Sequence, residues 1–150
     1  MAEDREALLQ HYRQMRAELL VTIDGLDGAL LSERLLDGWS VKDHLAHIAL
    51  WDELRASEVE RIAAGHASAW RMSGEQDATY NELAYDLRRD LPPAQVRWEL
   101  ARTHERLLAA IAGAGERGLD ATLYGEAGLR SRHEAQHTGW IGRWRREKSI

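Results

Sequence analysis

Cysteine and phenylalanine are both missing from this chain of 150 residues, and proline occurs only twice. The absence of cysteine excludes disulfides, thiolate metal ligands and a cysteine nucleophile, so any bound metal must be held by nitrogen and oxygen. Without phenylalanine, the 6 tryptophans are expected to fill the large volumes of the core. No run of roughly 18 apolar residues occurs, so nothing is expected to span a membrane. The start, Met1-Ala2-Glu3-Asp4-Arg5-Glu6, is charged and lacks the apolar stretch of a secretory signal, which leads to the expectation of a cytoplasmic protein. Net charge is −5, and the densest basic group is Arg143, Arg145, Arg146 and Lys148. That group closes a predicted helix, where cations complement the dipole. No nucleic-acid partner is expected.

What is present reads as helices joined by glycine-marked loops, with no alternating strand pattern. A first helix is predicted from about Glu3 to Ile23, with Leu8, Tyr12, Met15 and Leu19 on its core stripe, ended by Asp24-Gly25 and Asp27-Gly28. The connector from Ala29 to Gly38 has room for one helical turn. A second helix starts at Ser40, where Ser40 and Asp43 form a capping box with Asp in place of Glu, and runs to about Ala64. A short helix is expected from about Asp77 to Arg89, leaning on the bundle through Tyr80, Leu83 and Leu87. Pro92 and Pro93 suit the first turn of a third long helix, with Val96, Leu100, His104, Leu107 and Ile111 as its stripe. The last helix is predicted from about Glu126 to Lys148. The expectation is an all-α fold in which residues 1–150 form one four-helix bundle domain, with a short additional helix between the second and third long helices.

Three histidines stand out against this frame. His133 and His137 are one turn apart, about 6 Å along a helix axis and on one face of it. They take stripe positions where Leu or Ile would ordinarily sit, between Leu129 or Arg130 and Trp140 and Trp144. Two neutral imidazoles are costly to bury without partners, and a shared metal would satisfy one nitrogen of each. A pair of core histidines bonded to neighbours explains the same spacing. On the second helix, periodicity places Val41, His44, Ile48, Val59 and Ile62 at the centre of the apolar face. His47 lies nearer the edge, beside Trp51 and Leu54, so the pattern alone favours His44 as the inward residue.

The segment Gly38-Trp39-Ser40-Val41-Lys42-Asp43-His44-Leu45-Ala46-His47, together with His133-x-x-x-His137, resembles the DinB/YfiT-like superfamily. The resemblance covers nearly the whole chain. It implies a four-helix bundle, often a homodimer, with a divalent metal on three histidines. Carried over residue by residue, the ligands are His47, His133 and His137. His44 then becomes a supporting or surface group, and His104 a core histidine that can hydrogen-bond within the site. Trp51, Arg130, Trp140 and Tyr124 are candidates for the mouth of the pocket. Zinc, nickel and iron all suit imidazole. The resemblance further implies a small-molecule substrate and a low-molecular-weight thiol whose thiolate the metal would stabilise, or hydrolase-like chemistry. A non-catalytic metal- or ligand-binding stress protein and a metal-free structural dimer are the alternatives.

His133-Glu134-Ala135-Gln136-His137 also matches the zinc-peptidase signature His-Glu-x-x-His. The extended form of that motif needs Gly at 140 and His at 143, where this chain has Trp140 and Arg143. Peptidase activity is therefore set aside, and Glu134, about 100° around the helix from His133, is expected to be solvated or at an interface.

Overall fold

Residues 2–35 and 37–150 are described by a computed structural model of the chain. Among them the regular structure is helical, and strand-like pairing is confined to isolated bridges, Ala2 with Asp120 and Arg34 with Ser40. In chain order the helices are α1 (Arg5–Ile23), α2 (Gly28–Leu31), α3 (Val41–Ala63), α4 (Gly74–Arg88), α5 (Pro93–Gly113) and α6 (His133–Lys148). α1, α3, α5 and α6 form the bundle, with α3 packed chiefly on α5 and α1 chiefly on α6. α4 is the additional helix between the second and third long ones.

Local chemistry sets most of these boundaries. Asp4 accepts a hydrogen bond from Ala7 N at the start of α1, and Ser40 and Asp43 complete a reciprocal capping box at the start of α3. A second capping box, Ser73 with Gln76, starts α4. Pro93 opens α5, where its missing N–H leaves nothing unsatisfied. Gly25 and Gly65, both at positive φ, follow the ends of α1 and α3.

The start of α6 is corrected by the structure. It begins at His133 rather than near Glu126, because the carbonyls of the preceding segment are engaged by side chains instead of by helical N–H groups. Arg55 Nε donates to the carbonyls of Ala127 and Gly128 at 2.9 and 3.1 Å, and the Tyr12 hydroxyl donates to that of Leu129 at 2.5 Å. Gly128 takes φ +65, a left-handed conformation that costs glycine little.

The apolar stripes of α1 and α3 are buried as expected, with Arg16, Asp52 and Arg55 buried beside them, but three other stripes differ. On α6 the buried residues are Glu134, His137, Ile141 and Trp144, while Trp140 is 43 % exposed. On α5 Thr103 takes the place expected for His104, which is half-buried. Tyr80 of α4 turns toward the bundle as expected, but Leu83 and Leu87 face outward, and Ala84 and Tyr85 turn inward in their place. Nor do the tryptophans fill the core. Only Trp51 and Trp144 are buried, and aliphatic side chains supply the volume.

The core comprises two apolar clusters stacked along the bundle. One gathers Leu19, Ile23, Val41, Leu45, Ile48, Leu100, Ile141 and Trp144; the other gathers Leu8, Tyr12, Met15, Val59, Ile62, Leu107 and Ile111. Between them every long helix contributes polar groups: Arg16 from α1, Asp52 and Arg55 from α3, Thr103 from α5, Glu134 and His137 from α6, all buried. This polar layer carries the histidine site.

Candidate metal centre

His44 and His47 lie in the first two turns of α3, whose start is fixed by the capping box. His133 is the first residue of α6, and its N–H donates to Ser131 Oγ at 3.1 Å. Ser131 is itself tied to α1. Its N–H donates to the Tyr12 hydroxyl at 3.1 Å, and its carbonyl accepts from His11 Nε2 at 2.6 Å. His11 is therefore half-buried and bonded.

The three ring nitrogens that the resemblance singles out converge. His133 Nε2 lies 3.1 Å from His47 Nε2 and 2.9 Å from His137 Nε2. Together the candidate ligand atoms of His47, His133 and His137 fall within 4.8 Å of one another. Burial is the main cause that lowers all three basicities, to about 3 for His47, about 4 for His133 and about 2 for His137. Mutual repulsion adds to the effect at His47 and His137, and the Arg55 guanidinium adds to it at His133. At neutral pH the rings are uncharged, the form in which imidazole binds a metal.

These residues fit a divalent cation. A neutral imidazole nitrogen offers one proton or one lone pair, so His133 Nε2 cannot make two good linear hydrogen bonds to its two close neighbours. A cation among the three rings would accept all three lone pairs at once. The donor set is nitrogen only, and three protein ligands leave coordination positions for a small molecule.

His44 is the inward residue of its turn, as the pattern indicated, yet it stands behind the cluster rather than in it. It is 1 % exposed, with Nδ1 2.6 Å from His137 Nδ1 and Nε2 3.0 Å from Asp37 Oδ2. Burial lowers its basicity, against the pull of Asp37. A neighbour on the far nitrogen of a ligating histidine selects its tautomer and orients the ring. The inward position and the position in the three-ring cluster thus belong to different histidines of one turn.

Aromatic rings surround the cluster. Trp39 lies 5.4 Å from both His44 and His47 and stacks on Tyr85 at 5.1 Å. Trp51 packs beside His47 and His133, its indole N–H donating to Asn81 Oδ1 at 2.9 Å. Trp140 lies 4.9 Å from His137. A groove of about 410 Å³ is lined by Leu35, Asp37, Trp140, Arg143, Trp144 and Glu147.

Three candidates fall away from the site. Arg130 is exposed and paired with Glu3 at 2.6 Å, drawn outward by the loop that replaces the expected start of α6. The Tyr124 hydroxyl is committed to the Gly118 carbonyl at 2.6 Å. His104 is outside the three-ring cluster; burial, with the Arg16 and Arg13 guanidiniums, lowers its basicity to about 4.

Glu134, expected to be solvated or at an interface, is instead 6 % exposed and bound to Arg16. Sequence reasoning missed this ion cluster, although a signal was present. The α3 stripe jumps from Ile48 to Val59, and Asp52 and Arg55 stand in the gap in core register.

The sequence matches the family model described as the DinB superfamily over residues 11–141, and the chain belongs to that superfamily. No curated protein matches it. An uncharacterised protein from Escherichia coli UTI89 has a similar structure, with TM-score 0.80, 16 % identity, and 97 % of this chain and 95 % of that one covered. The mycothiol-dependent maleylpyruvate isomerase is also similar, with TM-score 0.74 and 19 % identity. The match covers 93 % of this chain but only 61 % of the isomerase. At these identities both likenesses show the shared fold alone. Among the described residues no helix is long and apolar enough to cross a membrane.

Proposed function

We propose that this chain is a divalent-metal-binding enzyme acting on a small molecule, with His47, His133 and His137 as ligands and a low-molecular-weight thiol as co-substrate. One observation carries the reading: three uncharged ring nitrogens from two helices face one another with no other group between them. A divalent ion held there would supply Lewis-acid activation of a thiol or of water. His44 would orient His137, Trp39 and Trp51 would limit water around His47 and His133, and the groove beside Trp140 would receive the substrate. Arg143, whose guanidinium makes no hydrogen bond or ion pair among the described residues, would meet an anionic group on it. The similarity in fold to a mycothiol-dependent isomerase supports the thiol as co-substrate. The reading includes a cytoplasmic homodimer, whose assembly sedimentation velocity would report.

One observation favours a second reading, a non-catalytic metal or ligand carrier: among the described residues no carboxylate or amine beside the cluster is free to act as a general base. Asp37 faces His44, and Asp52 and Glu134 are held by arginines. Metal analysis of untagged protein is expected to show stoichiometric metal in the parent and none in His133→Ala/His137→Ala. Consumption of an electrophile that needs both thiol and metal would select the enzyme over the carrier. A metal-replete parent that retains no metal sinks both readings.

A further inference from the structure

Among the described residues Arg16 is the one side chain bonded to all of the other long helices of the bundle. Its Nε and Nη2 donate to Glu134 Oε2 and Oε1 of α6 at 3.1 and 3.0 Å. Nη2 also donates to Asp52 Oδ2 of α3 at 2.6 Å, and Nη1 to the Leu100 carbonyl of α5 at 2.8 Å. Asp52 is shared with Arg55 at 3.5 Å, and Arg55 in turn holds the Ala127 and Gly128 carbonyls. All four charged side chains are 4–6 % exposed.

The carboxylates that Arg16 grips stand close to the histidines. Glu134 follows His133 directly and precedes His137 by three residues, while Asp52 is on the helix of His47. His133, Trp51, Asp52, Arg55 and Glu134 line one small cavity of about 10 Å³, so the ion cluster lies against the histidine site.

Stability alone does not account for this arrangement. A buried ion cluster is often no more stable than apolar packing of the same volume, because each charge must first lose its water. A planar guanidinium, however, accepts its partners only in fixed directions. Apolar contacts tolerate small rotations of a helix, and a bidentate fork resists them. At the start of α6 the N-cap residue Arg132 makes no side-chain capping bond, and Ser131, which accepts from the His133 N–H and is tied to α1, pins the helix at one point without fixing its rotation; the fork supplies that second constraint.

We infer that Arg16, through Glu134 and Asp52, is the positioning residue that sets the rotation of α6 against α3 and so brings His133 and His137 to His47. The inference rests on the proposed metal site for its function and on the ion cluster for its geometry.

The test compares Arg16→Met/Glu134→Met and Arg16→Lys with the parent. The double substitution removes the fork and its main carboxylate together, while Asp52 keeps Arg55. Leu107→Ala, in the apolar cluster remote from the histidines, serves as a control that lowers stability. Zn²⁺ affinity is read by competition with a chelator, geometry by the visible absorption of the Co²⁺ form, and ring placement without metal by long-range imidazole ¹H–¹⁵N spectra. The double variant is expected to keep its helicity and cooperative melt, to bind Zn²⁺ about 10–100-fold more weakly, and to change both spectra. Arg16→Lys, which keeps the charge without the fork, should fall between it and the parent, and Leu107→Ala should match the parent in affinity and spectra. A folded double variant with affinity within about threefold of the parent and unchanged spectra overturns the inference. Should that variant not fold, Arg16→Lys decides on the same readouts, with parent-like values again overturning it. A parent that binds neither ion removes the metal reading instead. The positioning claim then stands if the metal-free imidazole spectra differ between variant and parent, and falls if they coincide.

Discussion

The cluster around Leu107 and the polar layer around Arg16 are both buried, but different physics holds them. In the first, Leu8, Val59, Ile62, Leu107 and Ile111 contact one another through non-directional dispersion, and any rotamer set of the right volume would serve. In the second, two guanidiniums and two carboxylates tie helices together along fixed directions, directly under a cluster of uncharged imidazoles. The apolar layer sets how tightly the helices associate. The polar layer sets their angular relation, which a three-ligand site needs and a hydrophobic core does not enforce.

Substitutions that act on one layer and spare the other sharpen this contrast. The largest effect on stability is expected from Glu134→Ala, which leaves the Arg16 fork half-paired out of water. It should lose about 3–5 kcal/mol in chemical denaturation, clearly more than Arg16→Met/Glu134→Met. If the double change costs as much as the single one, the layer is held by its packing and the contrast fails. Leu107→Ala comes next, at about 2–5 kcal/mol from lost transfer energy and the cavity left behind. Here metal affinity should hold, and a parallel loss would mean that the two layers are not separable.

The remaining expected effect is a dependence on pH. In the folded, metal-free protein His47 and His133 take up protons only near pH 3 and pH 4, and His137 near pH 2, whereas unfolded histidine does so near its ordinary value of about 6.5. Below that value the unfolded chain binds more protons, so their contribution is fully present above about pH 6.5 and declines as pH falls toward 4. Asp52 and Glu134, whose basicity burial raises, act in the opposite sense. The informative quantity is therefore the difference between the parent and His133→Ala/His137→Ala, in which the carboxylates largely cancel. Denaturation of both at pH 7 and pH 5 should show the steeper decline in the parent. Equal slopes would mean that the rings are already solvated in the folded state.

Much of the fold was legible because its signals are local. The Ser40–Asp43 capping box, Pro93, Gly65 and the stripe Leu8–Tyr12–Met15–Leu19 act within a turn or two of chain, and each set a boundary or a buried face as expected. The start of α6 was not legible. What prevents a helix before His133 is the grip of Tyr12 and Arg55, more than 70 residues away, on the carbonyls of residues 127–129. Periodicity likewise could not choose between Thr103 and His104, which straddle one stripe, or foresee that Trp98 would be 64 % exposed.

At the site, the pattern put His44 inward, where it is 1 % exposed, and the ring of His47, which the family resemblance names as a ligand, comes within 4.8 Å of those of His133 and His137; the two histidines occupy successive depths of one turn. Sequence by itself determined the helices, the histidine pair and the family, because spacing, caps and side-chain chemistry are properties of neighbours along the chain. Tertiary structure alone decided that Glu134 is buried, that Arg16 reaches three other helices, and that Arg130 leaves the site for Glu3. Those outcomes depend on which distant charge arrives at which depth of the bundle, and a charge far along the chain leaves no trace in local periodicity.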